Sequence, residues 1–229
     1  MDSAVPPSDT WHLTRERLRS GRHIESMRQE GRGALELRSQ AELDASLERV
    51  LAARPHGQAC HVFAYGSLLW NPALDFSASF PGRVQGWHRS FCIRSIVGRG
   101  SPDAPGAMLG LDAGGACSGL VYRVEAPKAL DELRLLWRRE MLTGVYDARW
   151  VRVRTPDERL VEALTFVVDR RHARYLGRLP EADLARLIRT GRGGLGTSID
   201  YFESTRAALS RLGLRDAGLE RLARAVGGG

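Results

Sequence analysis

Apolar residues at helical spacing predict two helices near the N-terminus, over residues 13–21 and 39–55. In the second helix, Ser39 and Glu42 have the spacing of a capping box, and leucines follow at intervals of about one turn. A Pro-His-Gly sequence at 55–57 ends this helix. The first part of the chain is therefore predicted to be helical.

From Cys60 onward the spacing changes to short apolar or alternating runs, which are typical of strands. The five predicted strands lie over residues 61–65, 82–95, 118–124, 148–155 and 161–169. A helix over 127–142, opened by Pro127 at a favoured first-turn position, separates the third strand from the fourth. Further helices are predicted over residues 180–190, 198–212 and 215–226. Strands with inserted helices and no strict βαβ repeat predict a mixed α/β or α+β domain, built like a barrel.

Composition narrows the class of protein. The 229 residues are 43% hydrophobic and 27% charged, which is typical of one large globular domain or one domain with an appendage. No apolar run approaches the ~18 residues of a membrane span, and the N-terminus lacks the apolar centre of a signal peptide. We therefore expect a cytoplasmic protein that has no membrane partner.

The net charge of +7 comes almost entirely from arginine, since Lys128 is the one lysine. The arginines are dispersed among acidic residues, whereas a nucleic-acid-binding protein concentrates them on one face or segment. We therefore expect no nucleic-acid partner. A small acidic substrate would suit the charge.

The cysteines predict neither a disulfide framework nor a metal site. Cys60, Cys92 and Cys117 are odd in number and widely spaced, and each lies in or beside an apolar run, where a free thiol behaves as a buried apolar group. The six histidines include no His-x-x-x-His pair. We predict that the protein binds no metal ion.

The sequence FAYGSLLWNP places Gly66 and Ser67 between two apolar runs. Glycine frees the backbone to turn sharply there. The successive N–H groups of Gly66, Ser67 and Leu68 would then suit an anion or a developing oxyanion. A bulge or a tight connection explains the pattern equally well. Ser67 is a poor candidate for a nucleophile, because the pattern G-x-S-x-G is absent.

The helix predicted over 127–142 carries a carboxylate on or beside its apolar face. That face is formed by Leu130, Leu133, Trp137 and Met141. Glu140 lies three residues from Trp137, and no position three or four residues away from Glu140 is basic. Burial without an ion pair raises the pKa of a carboxyl group, which suits a general acid or base near neutral pH. The alternatives are a glutamate at the boundary of the apolar face or one paired with a distant arginine.

Three further features are weaker candidates. Arg94 ends the second predicted strand and could bind a carboxylate, although a solvated strand end is the better-supported interpretation. The sequence GRGGLG at 191–196 follows a helix rather than a strand, so we predict a flexible loop and no dinucleotide site. Tyr201 follows this loop and is a candidate to face the same site.

Four motifs together resemble the ChaC family of glutathione-specific γ-glutamylcyclotransferases. They read VFAYGSLLWNPALDF, GRVQGWHRSFCIRS, SGLVYRV and LLWRREMLTGVY. The resemblance implies a γ-glutamylcyclotransferase-like fold, a small mixed β-barrel with flanking helices. On this basis we predict a catalytic domain over 58–229 and an N-terminal helical extension over 1–57. One departure is Ala64, where many relatives carry glycine, and its methyl group should narrow the pocket slightly.

The resemblance also implies a reaction that needs no cofactor. The α-amine of glutathione attacks its own γ-carbonyl and releases 5-oxo-L-proline and cysteinylglycine. The family's proton acceptor corresponds to Glu140. The family's substrate-binding loop corresponds to Val62, Phe63, Ala64, Tyr65, Gly66, Ser67 and Leu68. The side chains that hold the glycyl carboxylate stay open, with Arg94 and Tyr201 as candidates.

Two other functions stay open at this point. The first is a cyclotransferase for another γ-glutamyl amino acid or amine, which the sequence separates poorly from a glutathione enzyme. The second is a non-catalytic regulator of cation transport, a label attached to ChaC proteins by association. The intact glutamate at position 140 and the absence of an apolar span disfavour the second. We expect the protein to be a monomer.

Overall fold

A computed structural model describes residues 13–52 and 58–228 and contains a closed barrel of five strands. The barrel strands are β1 (Cys60–Ala64), β2 (Ala78–Ser95), β3 (Gly106–Val124), β4 (Tyr146–Arg154) and β5 (Leu160–Val168). They pair in the order β1-β3-β2-β4-β5, antiparallel except where β1 meets β5. The predicted mixed barrel with flanking helices is confirmed.

The longest hairpin joins β2 to β3, whose pairing runs from Ala78 and Arg123 to Ser95 and Gly106. Strand β3 therefore begins at Gly106 rather than at the predicted residue 118. Its first half, GAMLGLDAGGAC, is rich in glycine, which weakens the strand pattern in a single sequence. Close packing accounts for one of these glycines, because a Cβ on Gly110 would lie 2.8 Å from the Sγ of Cys92.

Three helices precede the barrel within residues 13–52. They are α1 (Arg15–Ser20), α2 (Arg22–Gly31) and α3 (Gln40–Leu51). In α3 the predicted capping box is present, because the Ser39 hydroxyl accepts from the Glu42 N–H and the Glu42 carboxylate accepts from the Ser39 N–H. The predicted break at 55–57 lies outside the described residues. Helix α2 was not predicted, because it is polar over most of its length and buries only His23 and Gly31.

The N-terminal helices pack against the barrel. Leu43 and Leu47 of α3 belong to the same hydrophobic core as the strands, and Arg15 of α1 forms an ion pair with Glu132. The boundary predicted after residue 57 adjoins the segment 53–57, outside the described residues, and stays a prediction.

The helix predicted over 127–142 has two parts. It is α-helical over α4 (Ala126–Leu136) and continues as a π-helical turn over Trp137–Met141. A π turn inserts an extra residue into the helical repeat and changes the direction in which the following side chains point. Glu140 lies in this turn.

Helices α5 (Glu181–Thr190), α6 (Ser198–Arg211) and α7 (Ala217–Gly227) close the fold, close to their predicted bounds. The glycine-rich segment between α5 and α6 forms a small hairpin of β6 (Arg192–Gly193) and β7 (Gly196–Thr197), where a flexible loop was predicted. Among the described helices, none has both the length and the apolar character that a membrane crossing requires.

Candidate active site

A cavity of about 170 Å³ opens between the barrel, the N-terminal helices and α6. The turn after β1 and the π turn after α4 supply part of its wall, through Ser67 and Glu140. Leu13, His23 and Met27 line it from the N-terminal segment, and Leu195 lines it from the β6–β7 hairpin. The predicted turn and the predicted carboxylate therefore lie in one cavity.

The turn after β1 is a single 3-10 turn over Ser67–Leu69. Gly66 precedes it with φ −125° and ψ −129°, and the Asn71 N–H donates to the Ser67 carbonyl at 2.8 Å. The first N–H groups of a helical turn have no acceptor inside the turn. A Cβ placed on Gly66 would lie 3.4 Å from the Tyr201 hydroxyl, so this hydroxyl lies over the bare backbone of the turn.

The predicted substrate-binding loop is divided between the core and the cavity. Val62, Phe63 and Ala64 belong to β1 and are fully buried. The Tyr65 hydroxyl donates to a carbonyl of β5 at 2.8 Å, and Leu68 is also buried. Of the seven predicted residues, the one whose side chain lines the cavity is Ser67. The others shape the strand and turn that carry Ser67, and their role in binding stays a prediction.

Glu140 is largely removed from solvent and forms an ion pair with the residue next to it. Its side chain is 13% exposed, and the Arg139 Nε lies 2.9 Å from Glu140 Oε1. Among the described residues, no donor makes a well-directed hydrogen bond to Oε1. The sequence prediction of a carboxylate without a cation was therefore wrong. Adjacent residues on a regular helix do not face each other, so the search at three and four positions away missed Arg139.

The electrostatics of Glu140 are set by burial. Removal from water raises the pKa of its carboxyl group, and the Arg139 guanidinium reduces this rise without cancelling it. The raised pKa agrees with the sequence prediction, although the ion pair does not. Such a carboxylate can accept a proton and return it near neutral pH.

Arg139 links Glu140 to the turn. Its Nη1 donates to the Asn71 carbonyl at 2.6 Å, and its Nη2 donates to the Ser67 hydroxyl at 2.9 Å. The Arg139 side chain is 3% exposed. The carboxylate and the 3-10 turn are thus held in a fixed relation by one buried side chain.

The two weaker candidates for substrate binding have different positions. Tyr201 lines the cavity and is buried, and burial raises the pKa of its hydroxyl, so it remains a hydrogen-bond donor at physiological pH. Arg94 is exposed on β2 and does not line the cavity. The suggestion that Arg94 binds a substrate carboxylate is therefore not supported by its position, because successive side chains of a strand point to opposite faces.

Besides Arg139, two more arginines that the sequence analysis did not single out line the cavity. Arg99 lies over the rings of Trp70 and Tyr201, with its Cζ 5.7 and 6.0 Å from the ring centroids. Arg174 is buried. Both follow strands in irregular segments, so no periodic pattern in the sequence marks them.

The described residues contain no group of three or more His, Cys, Asp and Glu side chains that could hold a metal ion. Cys60, Cys92 and Cys117 are buried, and burial raises the pKa of Cys92 to about 12 and that of Cys117 to about 11.

Comparisons with known proteins give one family. The sequence model of a family described as ChaC-like protein matches residues 60–228. A protein of Escherichia coli K12 named glutathione-specific γ-glutamylcyclotransferase is 43% identical over 178 residues, which cover 78% of this chain and 77% of that protein. A Rattus norvegicus protein named glutathione-specific γ-glutamylcyclotransferase 1 is 34% identical, over 74% of this chain and 79% of that protein.

The barrel also resembles a solved structure. The crystal structure of a yeast γ-glutamylcyclotransferase specific to glutathione superimposes with a TM-score of 0.69. The match covers 74% of this chain and 96% of that chain, at 18% sequence identity. At this identity the likeness shows a shared fold.

Proposed function

The chain belongs to the ChaC family, and from this we propose that it is a glutathione-specific γ-glutamylcyclotransferase. It would be a lyase that cleaves glutathione into 5-oxo-L-proline and L-cysteinylglycine. The observation that carries the proposal is a largely desolvated Glu140 in the same cavity as the Ser67 turn, in a chain 43% identical to a curated enzyme of that name. No cofactor enters the proposed reaction.

The reaction is intramolecular and redox-neutral. The α-amine of the glutamyl group forms a bond to the γ-carbonyl carbon, and the bond from that carbon to the cysteinyl nitrogen breaks. Starting from the neutral amine, one proton leaves the attacking nitrogen and one proton reaches the departing nitrogen. A substrate that binds as the ammonium form loses one further proton before the attack. Because both reacting groups belong to one molecule, the protein must fold the substrate into attack geometry, move the proton and stabilise the oxyanion.

We assign the proton transfer to Glu140. An ammonium group has no lone pair, so a base must deprotonate it before attack. The raised pKa of the Glu140 carboxyl makes it a stronger base than an exposed glutamate and a competent acid once it is protonated. The same carboxyl can therefore take the proton from the amine and return it to the cysteinyl nitrogen.

We assign stabilisation of the oxyanion to the backbone of the turn. The N–H groups of residues 66–68 enter or begin a helical turn and have no acceptor within it. The Arg139 hydrogen bond to the Ser67 hydroxyl fixes the turn relative to Glu140. This arrangement supports a substrate whose γ-carbonyl lies at the turn and whose amine lies at Glu140.

We further propose that the protein acts in the cytoplasm as a monomer. Light scattering after size-exclusion chromatography tests the oligomeric state. A monomer would have a measured mass of 25.3 kDa, and a dimer would have twice that mass. Fractionation of the source cells tests the compartment.

A substrate panel tests the proposed specificity. The purified protein is incubated separately with glutathione, γ-glutamylalanine and ε-(γ-glutamyl)lysine, and release of 5-oxoproline is measured. We expect turnover of glutathione with a kcat/KM at least about 100-fold above the others, a typical consequence of a lost charged contact. Equal turnover of all three compounds would favour a general γ-glutamylcyclotransferase.

A further inference from the structure

Among the residues that the structure describes, Arg174 is a buried cation without a counter-ion. The residue is 7% exposed, and its Nε and Nη2 have no hydrogen-bond partner within the described part of the chain. Across 13–52 and 58–228, no carboxylate lies within ion-pair distance of it. Buried polar groups are almost always paired, so an unpaired guanidinium requires an explanation.

Two other arginines with well-buried side chains are paired. Arg89 forms an ion pair with Asp216 and donates two further hydrogen bonds to carbonyl groups. Arg139 forms its ion pair with Glu140. Arg174 differs from both, because the groups that would satisfy its charge are missing from the described protein and its side chain lines the cavity.

The backbone holds Arg174 firmly. Its N–H donates to the His172 imidazole at 3.1 Å, and its carbonyl accepts from the Arg94 N–H at 2.8 Å. The next residue, Tyr175, donates its hydroxyl to the buried Asp112 at 2.8 Å. The guanidinium is therefore carried by a segment fixed to the barrel, which suits a preorganised binding group.

Burying an unpaired charge costs free energy. The cost appears in Arg174 itself, because burial lowers the pKa of its guanidinium. A ligand carboxylate would relieve this cost, and the planar guanidinium can form two parallel hydrogen bonds with one carboxylate.

We propose that Arg174 binds the glycyl carboxylate of glutathione. The inference rests on the proposed function. Glutathione has two carboxylates. The glutamyl carboxylate is bonded to the same Cα as the amine that Glu140 deprotonates in the proposed reaction, so it must lie close to Glu140. The cation in contact with Glu140 is Arg139, whereas Arg174 makes no ion pair or hydrogen bond with Glu140 or with residues 66–68.

The length of the substrate separates its two ends. An extended chain spans about 3.3–3.6 Å per residue, so in a substrate folded for attack the glycyl carboxylate lies two residues, or about 7 Å, from the γ-carbonyl. Arg174 lies in the same cavity but makes no ion pair or hydrogen bond with Glu140 or the Ser67 turn, which is the position expected for a group that binds the glycyl carboxylate. Compounds that lack a carboxylate there would leave Arg174 unpaired and would bind more weakly.

Steady-state kinetics with two substrates test the inference. Release of 5-oxoproline is measured from glutathione and from glutathione whose glycyl carboxylate is converted to a primary amide. The proteins are the wild type, Arg174→Met, Arg174→Lys and the matched control Arg171→Met. Arg171 lies in the same segment, with its side chain 85% exposed.

With glutathione, we expect Arg174→Met to raise KM by about ten- to a hundredfold, with kcat within about threefold of the wild type. Arg174→Lys should recover part of this loss, and Arg171→Met should match the wild type. With the amide substrate, the KM values of the wild type and Arg174→Met should agree within about threefold, because this substrate lacks the carboxylate that Arg174 would bind.

Two outcomes would overturn the inference while the proposed function stands. One is an unchanged KM for glutathione in Arg174→Met. The other is an equal loss on both substrates, which would assign Arg174 to the glutamyl end or to the fold. A wild type that turns over neither substrate would refute the proposed function, and the inference would fall with it.

Thermal unfolding separates binding from a structural role. Without ligand, Arg174→Met should unfold at the same temperature as the wild type or above it, because methionine removes an unpaired buried charge. Adding glutathione should raise the unfolding temperature of the wild type more than that of the variant. A variant that unfolds well below the wild type would indicate that Arg174 supports the fold.

Discussion

The ion pair between α1 and α4 should determine how firmly the N-terminal helices are attached. Two nitrogens of Arg15 lie 2.5 and 2.6 Å from the two carboxylate oxygens of Glu132, and the Asp75 N–H donates to the same carboxylate at 2.9 Å. The Glu132 side chain is 4% exposed and that of Arg15 is 29% exposed. Removing Arg15 would leave a buried carboxylate with one remaining donor.

The size of the effect follows from this geometry. Removing one partner of a buried pair costs about 3–5 kcal/mol. Because Arg15 is partly exposed and Glu132 keeps the Asp75 N–H, we expect Arg15→Met to lower the free energy of unfolding by about 3 kcal/mol, the lower end of that range. With an m-value of about 2 kcal/mol/M in urea, the unfolding midpoint falls by about 1.5 M.

Urea denaturation at pH 7, followed by tryptophan fluorescence, measures this change. Asp103→Asn is the matched control, because its ion pair with Arg32 also joins the N-terminal segment to the barrel but is 67% and 72% exposed. We expect the control to cost less than about 1 kcal/mol. The double variant Arg15→Met/Glu132→Met should recover part of the loss, since it leaves no unpaired charge.

The effect should also depend on pH. Burial raises the pKa of Glu132, but the Arg15 guanidinium and the Asp75 N–H outweigh it and lower the pKa overall. A carboxyl group with a lowered pKa stabilises the fold above its unfolded pKa of about 4.5 and loses this contribution as the pH falls through the folded value. A loss in Arg15→Met no larger than in the control, or one that grows below pH 4.5, would refute the reasoning.

Three other predictions concern the site and its supporting strands. In a pH–rate profile, Arg139→Met should move the acidic limb of kcat/KM to higher pH, because Glu140 loses the cation that opposes the rise in its pKa. The control Ser67→Ala should leave the acidic limb in place. Gly119→Ala should destabilise the barrel by at least about 1–3 kcal/mol in urea, because its Cβ would lie 2.2 Å from a carbonyl oxygen of β1. Cys92 should resist iodoacetamide at pH 8 in the folded protein and react in urea, as mass spectrometry would show, because burial raises its pKa to about 12.

Local patterns predicted most of the elements. The capping box at Ser39 and the alternation in β2, β4 and β5 depend on neighbouring residues, so a single sequence reveals them. The first half of β3 depends on its pairing with β2, which no local pattern contains. One of the glycines that obscure this strand, Gly110, is required by its close approach to Cys92.

Only part of the site could be predicted, because local patterns are visible in a single sequence and tertiary contacts are not. Glu140 was found because an unusual carboxylate on an apolar face is visible in sequence. Its partner Arg139 was missed because the π turn departs from the regular helical repeat on which the search relied. Arg174 lies in an irregular segment, and its burial without a counter-ion is a property of the tertiary structure alone.

Analysis of the products with glutathione as substrate tests the central claim most directly. Reduced glutathione is incubated with the wild type, with Glu140→Gln and with the exposed control Glu48→Gln, and the products are identified by mass spectrometry. The account predicts equal amounts of 5-oxoproline and cysteinylglycine from the wild type and the control. It also predicts a rate about 10²–10⁴-fold lower in a folded Glu140→Gln. Free glutamate in place of 5-oxoproline, or a Glu140→Gln variant with wild-type activity, would contradict the account.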